Sequence, residues 1–119
     1  MKGDKKDVSF LDDAILYLQN AIAGENHAIE SYITTKDENW LDIAKKIRRN
    51  RSKRMYELIP EGKGELYCFC KHILACAMAL KELGNRYIES NEEDLAKECF
   101  EESSLYESLF KFLIGGNKK

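Results

Sequence analysis

One stretch limits what this chain can become. From Leu66 to Leu80 only Lys71 and His72 interrupt an otherwise apolar run of cysteine, aromatic, alanine, methionine and leucine residues. As a helix it extends about 22 Å, whereas a bilayer needs about twenty apolar residues, so it reads as a core element rather than a membrane span. Its second half, Ala75 to Leu80, contains good helix formers and no β-branched residue, which favours helix over strand. No motif inside it names a reaction.

The rest of the chain is patterned to cover that element. Helix 1 is expected from Ser9, read as an N-cap, with the stripe Leu11, Ile15, Leu18, Ile22, Glu25, Ile29 and Tyr32. Glu25 stands there at an otherwise apolar position, beside Gly24. Thr34 to Lys36 form a turn, and Asp37 with Glu38 can cap helix 2, which runs to about Ile59 on the stripe Trp40, Ile43, Ala44 and Ile47. After Ile47 no apolar residue follows until Met55, so Asn50, Arg51 and Arg54 take inward or boundary positions. Pro60 and the glycines at 62 and 64 make the connection to helix 3, which is expected to end near Ile88. Helix 4 opens on Glu92 to Asp94, carries Leu95, Cys99, Tyr106, Leu109 and Leu113 inward, and stops at Gly115 and Gly116. Four such helices on short turns predict an all-α, up-down-up-down antiparallel four-helix bundle, one domain over residues 9–116 behind a disordered tail of residues 1–8. Tyr32-Ile33 before Asp37-Glu38 echoes Tyr87-Ile88 before Glu92-Glu93, which predicts two similar hairpins.

At 119 residues, with 44% apolar and 34% charged content and one proline, the chain has the make-up of a single globular helical domain. Its net charge of −2 hides a division. Lys45, Lys46, Arg48, Arg49, Arg51, Lys53 and Arg54 crowd helix 2, while glutamates crowd residues 89–107. Met1 to Asp7 is polar with no charged-then-apolar leader, and three of the four cysteines share helix 3, out of disulfide reach of one another. A reducing, cytoplasmic setting is therefore expected.

Several groups of residues offer chemistry. Turn centres near residues 35, 61 and 90 place Asn20, Arg51 and His72 at one level with Glu25 a turn away, which predicts a buried polar layer: a register pin, or a ligand pocket between helices. Arg51 is expected to pair with Glu25. The basic residues Lys45, Lys46, Arg48, Arg49 and Lys53 form a candidate nucleic-acid face, although a pI of 5.8 is low for such a binder. Cys68, His72 and Cys76, with Glu65, lie on one quadrant of helix 3 and are weak metal candidates, since one straight helix presents four ligands poorly. No metal or other cofactor is expected. A ferritin-like di-iron site is disfavoured because Gly24 and Phe69 stand where Glu should precede His27 and His72 by three residues.

Leu83-Gly84, Tyr87, Ala96, Phe100 and the small Ser103 fall at the spacing of a tetratricopeptide repeat, and residues 77–110 resemble one such helical hairpin. The resemblance implies a protein-binding surface and no catalysis. Those positions also encode close packing of any two antiparallel helices, and no tandem copy accompanies them. Arg49-Asn50 is similar to the start of the motif of helical-bundle ribonucleases of the HEPN type, but Arg54 or Met55 stands where their histidine belongs. The expected function is non-enzymatic protein association, first as a homodimer because helix 3 is apolar on more sides than three neighbours cover. Another protein is a further possible partner, nucleic acid a lesser one, and a membrane none. The alternatives are a nucleic-acid-associated protein, or a small enzyme or metal-binding bundle.

Overall fold

A computed structural model describes residues 8–59 and 64–116. Of the tail expected over residues 1–8, residues 1–7 lie outside them and Val8 is helical; of the connection expected over residues 60–64, residues 60–63 lie outside them and Gly64 is helical. Four α-helices follow in order, α1 Val8–Thr35, α2 Asn39–Leu58, α3 Gly64–Glu89 and α4 Glu93–Lys111, and a π-helical turn, Phe112–Gly116, ends the described chain. The all-α expectation is met: helices pack on helices, and no strand occurs among the described residues. None of these helices is long and apolar enough to cross a membrane.

The helices form two compact units, α1 with α2 and α3 with α4. Each is an antiparallel hairpin closed by a residue in the left-handed region, Lys36 (φ 63°) and Asn91 (φ 63°). At the first turn the Lys36 N–H donates to the Tyr32 carbonyl (2.6 Å). At the second, the Asn91 and Glu92 N–H groups donate to Ile88 (3.0 Å) and Tyr87 (2.8 Å), the paired closure of a Schellman motif. Asn tolerates this backbone better than Lys does. Of the caps expected for α2, Asp37 accepts the Asn39 N–H at 2.9 Å, while Glu38, at the N-cap itself, makes no side-chain capping bond. Ser9 caps nothing, because α1 already includes Val8 and Ser9 is a helical residue.

The two hairpins match at an offset of 55 positions. Tyr32 and Tyr87, Thr35 and Ser90, and Lys36 and Asn91 correspond at the turns, and each hydroxyl donates back to the carbonyl four residues earlier. Burial follows the same offset at several positions: Ile15, Leu18, Gln19 and Ile22 on α1 correspond to Cys70, Ile73, Leu74 and Ala77 on α3, although buried Ala28 corresponds to exposed Leu83. Ala44, Met55 and Ile59 correspond to Cys99, Phe110 and Ile114. The echo in the sequence is therefore a repeated hairpin.

Three stripes differ from the faces expected of them, α2 among them, where Ile43, Asn50 and Arg54 are exposed. In α4 the buried residues are Ala96, Cys99, Ser103 and Phe110, while Leu95 and Leu109 are exposed and Tyr106 is half-buried. The reason is close approach near the turn, where the Phe100 ring lies over Gly84 and the Ser103 hydroxyl donates to the Ala77 carbonyl at 2.6 Å. Small residues set that face near the turn, so Leu95 turns outward; farther along, Phe110 is buried and its neighbour Leu109 exposed. In α1, Ala28 is buried and Ile29 exposed.

Candidate functional site

The polar residues of the first hairpin converge on Glu25. Arg51 continues the inward stripe of α2 past Ile47, and because side chains lean toward a helix N-terminus its long arm reaches back one turn to the level of Glu25. Its Nε and Nη2 both donate to Glu25 Oε1, at 3.0 and 2.7 Å. Arg48, one turn earlier and exposed, sets Nη1 3.4 Å from Oε2. Arg51 is 2% exposed and Glu25 6%, so the pair lies in the core with Arg48 as its outer cover. Among the described residues no buried side-chain nitrogen or oxygen lacks a partner, as a buried polar layer requires.

The other two members of the expected layer are elsewhere. Asn20 is exposed and donates to the Leu16 carbonyl of its own helix (2.8 Å), and His72 is exposed on α3. Both were placed by level alone, and their azimuth around the helix turns them outward. The layer is thus the Glu25–Arg51 pair with Arg48. Neither of two surface cavities of this hairpin is lined by Glu25 or Arg51. One, of about 380 Å³, lies between Phe10, Ala14 and Tyr17 of α1 and Arg54, Glu57 and Leu58 of α2. The other, of about 270 Å³, lies beside the turn between His27 and Trp40. The arrangement is a satisfied ion pair that joins α1 to α2. The groove at Phe10 was not foreseen; its signal is the spacing of Phe10, Ala14 and Tyr17, a second apolar stripe beside the main one.

The basic face remains open. Lys45, Lys46, Arg49 and Lys53 are exposed and make no hydrogen bond or ion pair with the described residues, while Arg48 leans to Glu25 and Arg54 to Glu57 (2.6 Å). On α3, Cys68, His72 and Cys76 all face outward, and no group of three or more His, Cys, Asp or Glu side chains among the described residues is arranged to hold a metal ion.

The four cysteines are free, Cys68 and Cys76 exposed, Cys70 and Cys99 buried. Burial pushes the Cys70 thiol from 9.0 up to about 11. At about pH 8, near the ordinary thiol pKa of roughly 8.5, the folded chain should show two fast-reacting thiols and the chain unfolded without reductant all four. Two after unfolding would contradict four free thiols. Because folding holds Cys70 protonated, its contribution to stability is complete below pH 9.0 and is lost as pH rises toward 11.

Compared with protein families, curated proteins and solved structures, the chain matches no family model, no curated sequence and no solved structure. No family model supports the tetratricopeptide likeness at Leu83-Gly84, Tyr87, Ala96, Phe100 and Ser103.

Proposed function

We propose that this chain is a non-enzymatic helical module that works by protein–protein association, with a second copy of itself as first partner, through the outward face of α3. The supporting observation is apolar exposure. The core side of α3 is Tyr67, Cys70, Ile73, Leu74 and Ala77, yet Phe69 (51% exposed) and Leu83 (42%) stand on the opposite side with Cys76 and Ala79 between them. A helix at the surface of a globular chain ordinarily keeps that side polar, and a contiguous apolar stripe marks an interaction surface. His72 is the polar residue in the middle of it. A reducing, cytoplasmic setting belongs to the same proposal, since it would keep Cys68 and Cys76 on this face as thiols.

Light scattering at micromolar concentration tests the reading. The wild type should weigh as a dimer, and Phe69→Asp with Leu83→Asp should weigh as a monomer with unchanged helical content. A wild type that is monomeric at every concentration refutes it. A second reading, nucleic-acid association, is supported by the four cations of α2 that have no ion-pair partner among the described residues; it requires an affinity for RNA or DNA that falls steeply as salt rises.

A further inference from the structure

Resting on the association reading above, we infer that the outward face of α2 is covered by the outward face of α4 from a second copy of the chain, the two helices lying parallel. The two faces are complementary in sign and in order. Opposite the buried residues Ala44, Arg51, Met55 and Leu58, α2 carries Lys46, Arg49, Lys53 and then Tyr56, all exposed. Opposite Ala96, Cys99, Ser103 and Phe110, α4 carries Asp94, Glu98, Glu101 and then Leu105, all exposed, the last by 65%. Neither the three cations nor the three carboxylates have an ion-pair partner among the described residues.

The stripes are also matched in length, about 15 Å from Lys46 to Tyr56 and about 16 Å from Asp94 to Leu105 at 1.5 Å per residue. In chain order each runs through three charges of one sign and ends on an exposed group that is largely apolar. Laid parallel, the charges oppose and Tyr56 meets Leu105. Laid antiparallel, Tyr56 falls beside Asp94 and Leu105 beside Lys46. A regular run of cations also suits a polyanion, but the acidic stripe adds Leu105 as an apolar contact for the exposed ring of Tyr56. Charge pairs of this exposed kind steer and orient a complex more than they hold it, so the contact sets how copies align once the α3 face has brought them together.

Two variants separate contact between copies from every other use of these charges. One reverses the basic stripe, Arg49→Glu with Lys53→Glu; the other reverses the acidic stripe, Glu98→Lys with Glu101→Lys. All four positions are exposed, and circular dichroism on each variant is to check that it is folded. In sedimentation at about 0.1 M salt, where charges are screened beyond about 10 Å, each variant alone should associate about tenfold more weakly than wild type, since like charges then face each other. An equimolar mixture should recover wild-type association, because the reversed α2 of one meets the reversed α4 of the other. A mixture as weak as its components overturns the proposal, as do variants that each associate like wild type. So does loss of binding to a labelled single-stranded RNA in the first variant with association unchanged, which would assign the basic stripe to polyanions. If Phe69→Asp with Leu83→Asp abolishes association while the charge reversals and the mixture change nothing, the α3 reading stands and this one falls. A monomeric wild type removes both.

Discussion

Replacing Glu25 by Leu lowers the unfolding free energy by about 3–5 kcal/mol, the usual cost of removing one partner from a buried ion pair. At the several degrees of melting temperature per kcal/mol typical of domains this size, thermal denaturation should show a fall of roughly 10–20 °C. The loss comes from desolvation: Arg51, 2% exposed, keeps its charge in the core without the carboxylate that received its Nε and Nη2. Arg51→Met should cost less, because Arg48 already stands 3.4 Å from Glu25 and can close on it from the solvent side. The double variant Glu25→Leu with Arg51→Met should recover to within about 1 kcal/mol of wild type, since well-packed apolar groups commonly replace a buried pair without loss. The second hairpin supports that outcome, for the positions corresponding to Glu25 and Arg51 hold Leu80 and Tyr106. Equal stability of wild type and Glu25→Leu would place the pair outside the core and overturn the description of this site.

The second large effect is expected at Gly84. A Cβ there would lie 2.5 Å from Cε1 and 2.9 Å from Cδ1 of Phe100, closer than carbon atoms approach, so Gly84→Ala forces the ring or the helix to move. Overpacking of this sort costs about 1–3 kcal/mol, more than the roughly 0.5–1 kcal/mol that alanine gains over glycine within a helix. A net loss of about 1–2 kcal/mol should appear in urea denaturation, and Phe100→Leu, by withdrawing the ring, should restore most of it in the double variant. Gly24→Ala is the internal control. Its Cβ would meet only Ile47 Cδ1 at an ordinary 3.7 Å, so the helix gain should appear alone and the variant should be slightly more stable than wild type. If both alanines stabilise equally, close packing does not fix the second hairpin.

The candidate site was legible in part because charge burial leaves a mark in a one-dimensional pattern. Glu25 on the apolar stripe of α1, and an arginine where α2 lacks an apolar residue, announce a buried pair, since neither charge is tolerated inward alone. Asn20 and His72 carried no such mark. They were joined to the pair by counting residues from the turns, which gives height along a hairpin but not the direction in which a side chain leaves its helix, and both are exposed.

What the sequence determined by itself is whatever repeats along the chain. Helical periodicity, turn chemistry at Thr35 and Ser90, and the paired Tyr-Ile segments set four helices in two like hairpins, because helix formation and chain reversal depend on neighbours within a few residues. What only the tertiary structure decided is rotation about each helix axis. Leu95 is as apolar as any core residue, yet Ala96 and Ser103 lie inside in its stead. Hydrophobicity ranks side chains by size, whereas two helices brought together at Gly84 and Phe100 have room at their contact only for small ones, and that room exists only once both helices are in place.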